Sequence, residues 1–237
     1  LRSKIRIDKC SFYGCGYATT QSATVLAYGS VQMEACSFVA CRTGVIFGWG
    51  GMAPAVGESS LINRCHFEDC EGFSTPLLWL SNNTSDIVVR NCEFRRNFVA
   101  GYNSNTDDSL IMIATVGNSA SVRIEDCLFE NNSNVKISND GLSTGQMLSL
   151  VELTGAAKIE RCRFIGNMNR VFDANVNRAG IFHIKQNNVA PFVRDSYFAD
   201  NSLVAPDSAT ATYAAIAYLE QGMLQFFNCT FAENEVT

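Results

Sequence analysis

Ten cysteines, two histidines and a scatter of acids are the residues of this chain with chemistry to offer. Six of the cysteines form three C-x-x-x-x-C pairs, Cys10/Cys15, Cys36/Cys41 and Cys65/Cys70. Such pairs are candidates for disulfides, within a repeat or between neighbouring repeats. The other reading is a set of small buried thiols, since Cys92, Cys127, Cys162 and Cys229 have no such partner. No C-x-x-C occurs, and His66 and His183 are the only histidines, so neither a zinc site nor any other metal or cofactor is expected. Neither His falls in register with a cysteine, which removes the base that cysteine catalysis needs. The acids that could work together are Asp107, Asp108, Asp140, Asp173 and Asp207, each in a polar stretch. Glycan cleavage would use two or three such carboxylates converging on one face, or a Ca²⁺-held acid beside a basic residue. Four N-x-S/T sequons, at Asn82, Asn83, Asn131 and Asn228, are candidates for N-glycosylation, with Asn82 and Asn83 in a polar loop, Asn131 in a turn and Asn228 in a strand.

What must position these residues is a repeat. Aligned on one cysteine, the copies place Cys10, Cys36, Cys65, Cys92, Cys127, Cys162, Ser196 and Cys229 in a column. Two residues later stands a Phe every time: Phe12, Phe38, Phe67, Phe94, Phe129, Phe164, Phe198 and Phe231, half of the 16 in the chain. Three residues before the cysteine comes an apolar column running from Ile7 to Phe226, and two before that a second, mostly apolar one from Ile5 to Leu224. Polar residues lie between, as in Arg123, Glu125 and Asp126. Alternation at period two marks a half-buried strand and excludes a helix. The step of three between the second apolar column and the cysteine breaks the alternation once per copy, which predicts a corner between two short strands. A further strand-like run lies between copies, from Val25–Tyr28 to Ile216–Leu219.

Successive copies are 26, 29, 27, 35, 35, 34 and 33 residues apart. Repeats of that length with two or three short strands and no helix predict an all-β, single-stranded, right-handed parallel β-helix of about seven to eight turns. Stacking should turn the Phe column into a ladder of rings. The last column becomes an amide ladder of Asn97, Asn132, Asn167, Asn201 and Asn234. The first three copies carry Cys15, Cys41 and Cys70 there instead. One β-helix domain is expected over 1–237, with short, cysteine-paired turns over 1–97 and longer turns over 98–237. The added residues, around 101–109, 133–145, 168–179 and 202–212, should stack on one side of the cylinder. A separate insertion at 48–57 carries Trp49.

Hydrophobic residues make up 47% of the 237, enough for a core, and no apolar run approaches the ~20 residues of a membrane-spanning helix. The net charge of −5 and the scattered Lys and Arg argue against nucleic acid as a partner. The chain starts at Leu1 in mid-repeat and stops soon after Asn234 with no visible cap, which reads as a segment of a longer protein, or one whose ends pair with another molecule. His66 falls in an outward column, and His183 reads as a surface or wall residue. Aromatic residues in outward columns, Phe192, Tyr197 and Phe227, gather in the last two copies and suggest a partner contact; Leu61, Val88 and Leu128 occupy outward columns earlier.

The tetrads FRRN, FENN, FIGN, FADN and FAEN, ending at Asn97, Asn132, Asn167, Asn201 and Asn234, resemble the F-x-x-N repeats of chlamydial polymorphic outer-membrane proteins and related microbial and protist surface proteins. Their companion Gly-Gly-Ala-aliphatic motif is not evident, and three copies read F-x-x-C. The resemblance implies a right-handed β-helix displayed outside the cell for adhesion or assembly, with no catalytic residue to carry over. Of the motifs of pectate lyases and polygalacturonases, G-H-G is not found, while N-T-D occurs once, at Asn105–Asp107, with Asp108 following. Sequence therefore points to a non-catalytic extracellular module, meeting protein or glycan partners at a cell surface or assembling end to end or laterally into a fibre. The alternative is a carbohydrate-active enzyme of lyase or hydrolase type using the acids of the stacked insertions.

Overall fold

A computed structural model describes residues 3–16, 24–27, 29–42, 46–49, 59–73, 76–82, 86–101, 108–115, 121–136, 147–154, 157–171, 178–184, 191–204, 214–219 and 223–237. Every regular element among them is a strand, and all pairing is parallel. The strands form four sheets of eight, seven, eight and six members. One coil shows the pattern: Ile87–Arg90 belongs to the first sheet, Glu93–Arg95 to the second, Phe98–Gly101 to the third and Asp108–Thr115 to the fourth. The chain then returns to the first sheet one level along, at Val122–Glu125. This is a parallel β-solenoid, the fold class expected.

Register is kept by residue type. Ile87 pairs with Val122, Phe94 with Phe129, and Phe98 with Ser133. The coil holds one strand more than the two or three expected. The third-sheet strands escape a period-two reading because each turns only one or two side chains inward, and these differ between coils: Val99, Asn134, Asn169 and Leu203. They also occupy part of the stretches read as polar insertions, as Ser133–Lys136 and Met168–Val171 do. Likewise Trp49 ends the strand Ile46–Trp49 instead of lying in a loop insertion.

Both corners of the coil are made by a single residue in the left-handed region. At the first, between the first and second sheets, stand Lys9, Ala35, Arg64, Asn91, Asp126, Arg161, Asp195 and Asn228, with φ between 49° and 54°. At the second stand Gly14, Ala40, Asp69, Arg96, Asn131, Gly166, Asp200 and Glu233, with φ between 50° and 62°. One such residue reverses the pleat and swings the chain onto the next sheet, which is why the alternation slips there. An L residue in this conformation costs about 1–2 kcal/mol. Inter-coil bonds offset it: Asp126 N–H donates to Glu160 O at 3.0 Å, and Asn131 N–H to Ile165 O at 3.0 Å.

Inside, the Phe rings from Phe12 to Phe231 stack face to face, with successive centroids 4.6–5.1 Å apart and planes within 10°. Phe182 closes the core edge-on, 5.1 Å from Phe164 and 5.8 Å from Phe198. Beside the rings runs the amide ladder. Asn132 Nδ2 donates to Phe94 O (2.8 Å) and to Asn167 Oδ1 (3.0 Å), while its Oδ1 accepts Asn97 N–H (3.1 Å) and Asn97 Nδ2 (2.9 Å). The same set recurs at Asn167 and Asn201, and Asn234 donates to Phe198 O. Each amide thus satisfies backbone groups that the corner would leave buried and unpaired.

Candidate functional site

The cysteines line the inside of the two corners as free thiols. No bridge joins Cys10 to Cys15, Cys36 to Cys41 or Cys65 to Cys70, which corrects the intra-coil pairing. A three-residue strand, such as Ser37–Val39, separates the members of each pair. At ~3.3 Å per residue that strand alone holds them roughly 10 Å apart, beyond the ~7 Å limit for Cα atoms of a disulfide. The thiols serve as corner caps. Cys70 Sγ donates to Phe38 O at 3.4 Å, the bond that Asn97 Nδ2 makes with Phe67 O one coil later. The two ladders join where Cys70 N–H donates to Asn97 Oδ1 at 3.0 Å.

The outer faces of the first and second sheets carry charge. His66 Nε2 lies 2.9 Å from Glu68 Oε2, and its Nδ1 lies 3.4 Å from Glu93 Oε2. Arg95 spans Glu93 and Glu130 at 3.0 and 2.8 Å. Arg96 holds Asp69 at 2.9 Å and also pairs with Glu68, and Arg161 holds Asp126 at 2.7 Å. The hydrogen bond from Asn63 holds the Glu34 carboxyl below its usual range against some desolvation, with Arg64 adding to it. His66 does the same for Glu68, and Arg161 for Asp126. Carboxylates held below the usual range are poor general acids, which must keep a proton near neutral pH. Of the acids read as an insertion face, Asp107, Asp140, Asp173 and Asp207 lie outside the described residues. Asp108 opens the strand Asp108–Thr115, in register with Leu148.

Towards the last coils this charged surface becomes aromatic. In register on the outer face of the first sheet, Lys158 pairs with Phe192, and Arg194 with Phe227. The Arg194 guanidinium sits 5.2 Å from the Phe192 ring and 5.8 Å from Phe227, and Lys158 Nζ lies 5.9 Å from Phe192. The two rings meet edge to face at 6.3 Å. Around the first corner, on the second sheet, Arg163 pairs with Tyr197. Three consecutive cation and aromatic pairs therefore face outward, with Phe227 44% and Tyr197 36% exposed and Phe192 half-buried. Cation–π contact of this kind is worth about 0.5–1 kcal/mol at an exposed site. It fixes the orientation of the Phe192 and Phe227 rings. Earlier in the same outward columns Leu61 and Leu128 are half-buried, and Val88 is buried between its register neighbours Leu61 and Arg123.

The sequons fall in different settings. Asn131 is an exposed second-corner residue, as its turn reading implied. Asn228 is a first-corner residue and not part of a strand; it is exposed, and its Nδ2 donates to Asp195 Oδ1 at 2.6 Å. Asn82 ends the strand Leu78–Asn82 instead of lying in a loop, and Asn83 lies outside the described residues. His183, read as a surface or wall residue, is in the wall and buried at 1% exposure, in register with Glu152 and Tyr218. Alternation along one strand cannot show that the outer face of that strand is covered.

Four stacked parallel sheets, with inward ladders of like residues and an outward patch at one end, define the protein as a β-solenoid. The family model for the right handed beta helix region matches residues 2–145. The chain belongs to that family, whose description also supplies the hand of the coil. A search among curated proteins finds no match.

Proposed function

We propose that the chain is a non-catalytic β-helix module that works by contact, as an adhesive or structural element displayed outside the cell. The observation that carries this reading is the outward patch of Phe192, Tyr197 and Phe227, flanked by Lys158, Arg163 and Arg194. Exposed aromatic groups fixed on a rigid sheet are suited to stacking on a sugar ring or anchoring a protein partner, because little entropy is lost on docking. Likeness of the F-x-x-N tetrads to the repeats of polymorphic outer-membrane proteins supports display at a cell surface. Partners in this reading are cell-surface glycans, proteins or further copies of the chain.

The patch variant F192A/Y197A/F227A tests it. Its side chains leave the interior ladder intact, so far-UV circular dichroism should match the native chain while binding to cell-surface glycans or to immobilised chain is lost. Steady release of reducing or unsaturated ends from a panel of polysaccharides would instead establish an enzyme and sink the proposal.

A further inference from the structure

The aromatic patch makes no use of the four N-x-S/T sequons, and the fold sorts them. Asn83 lies outside the described residues, and Asn82 closes the strand Leu78–Asn82, in register with Thr115. Asn228 sits at a first corner with its Nδ2 tied to Asp195 Oδ1 at 2.6 Å. Asn131 differs from these. It stands exposed at a second corner with φ 53°, its backbone fixed by the bond from its N–H to Ile165 O at 3.0 Å. Among the described residues its side-chain amide has no hydrogen-bond partner, and neither has the hydroxyl of Ser133, the third residue of the sequon. The neighbouring corner residue of the next coil is Gly166, where a Cβ would collide with Asn131 Oδ1. The Asn131 carboxamide thus occupies the space that a side chain at 166 would take.

Corner geometry alone accounts for an Asn here, because Asn tolerates the left-handed region, as Asn91 and Asn228 also show. It does not account for Ser133. In register with Ser133 stand Phe98 and Met168, half-buried as it is, so the stack requires no hydroxyl at that position. Between the two sequon ends Asn132 is fully buried and bonded into the amide ladder. A group carried on Asn131 therefore stays clear of the core while its point of attachment is held rigidly.

We propose that Asn131 is an N-glycosylation site, carrying an oligosaccharide on Nδ2; the inference rests on the reading that the chain is displayed outside the cell. A sequon Asn on a folded surface is the acceptor such attachment needs. The donor is an oligosaccharide linked to a polyprenyl diphosphate. A bond forms between the amide nitrogen and the anomeric carbon of the sugar as the bond from that carbon to the diphosphate oxygen breaks. The diphosphate leaves with the electron pair, and the nitrogen gives up one proton. The folded corner loses no hydrogen bond, since the Asn131 amide makes none among the described residues. At Asn228 the same change bears on the nitrogen that donates to Asp195.

The full chain, isolated from the cells that make it and treated with peptide-N-glycosidase in heavy-oxygen water, tests the site. That enzyme leaves a labelled aspartate wherever it removes a sugar. Peptide mass spectrometry should find the label at position 131, and the intact mass should fall on treatment. Expressed in the same cells, S133A should lose the label at 131 and S133T should keep it, both with the native circular dichroism spectrum because the Ser133 hydroxyl bonds nothing among the described residues. F192A/Y197A/F227A should carry the sugar as the native chain does. A chain found at the cell surface with Asn131 unmodified, or a label at 131 that persists in S133A, would overturn this inference and leave the display reading standing. An unmodified chain confined to the cytosol would overturn both.

Discussion

Replacing Asn132 by Ala removes the centre of the amide ladder, and its cost follows from the bonds lost. Asn132 is fully buried. Its side chain makes four hydrogen bonds, two with Asn97 and one each with Phe94 O and Asn167 Oδ1. In N132A the Oδ1 of Asn167 keeps a partner, because Asn132 N–H still donates to it at 3.1 Å. The N–H of Asn97 and one hydrogen of its amide are left buried without one, while the carbonyl of Phe94 loses one donor and keeps its place in the strand ladder. At about 1–3 kcal/mol per orphaned group, partly relieved by water entering the gap, the loss should be about 2–5 kcal/mol. Cysteine offers a graded control, since Cys70 occupies the same column and donates to the equivalent carbonyl, Phe38 O. N132C should therefore cost about half as much as N132A, a sulfur making weaker bonds in the same places. Urea unfolding followed by far-UV circular dichroism measures both. A loss below about 1 kcal/mol for N132A, or N132C no milder than N132A, would refute the view that the ladder satisfies the corners.

Phe129→Ala opens a gap in the middle of the ring stack and should cost about 3–5 kcal/mol, read by the same urea midpoints. At the corners the sign depends on the residue. Gly166 has φ +62°, and a Cβ there would collide with Asn131 Oδ1, so G166A should destabilise by about 1–2 kcal/mol. Ala35, at φ 50°, already bears that conformational penalty, so A35G should be neutral or stabilising by up to about 1 kcal/mol. Acid should weaken the fold through Glu34 and Asp126, whose folded carboxyls sit below their unfolded values. Their contribution is full at neutral pH, begins to fade below the unfolded carboxylate range of about pH 4, and is gone once pH falls through the folded values. Thermal midpoints between pH 7 and pH 3 should show this, and R161Q should flatten the part due to Asp126; an unchanged profile would contradict the assignment.

Period-two alternation and the recurrent Phe made the first two strands of each coil, their corner and the parallel stack legible in the sequence, because buried side chains there are uniform. The third-sheet strand was not legible, since Val99, Asn134, Asn169 and Leu203 share a position but no chemistry. Corner conformation was hidden for a related reason: Lys9, Ala35 and Arg161 adopt the left-handed region without the Gly or Asn that signals it. Cysteine spacing suggested bridges because the count of residues between Cys10 and Cys15 does not reveal that a strand keeps them apart. Of the candidate contact surface, the aromatic positions could be read from their outward columns. Of the cations that hold the rings, Arg194 lies two residues from Phe192 on one strand, but its pairing with Phe227 and that of Lys158 with Phe192 span about a coil in sequence and come only through register.

The account stands or falls on whether the aromatic patch makes contacts. Native and F192A/Y197A/F227A chains, passed over immobilised cell-surface glycans and immobilised native chain in one surface-binding measurement, answer this directly. The native chain should be retained on at least one of these surfaces, and the variant, with its circular dichroism unchanged, should bind at least about tenfold more weakly, the loss of roughly 1.4 kcal/mol that removal of aromatic anchors produces. Equal retention of the two, or retention of neither, would contradict the account.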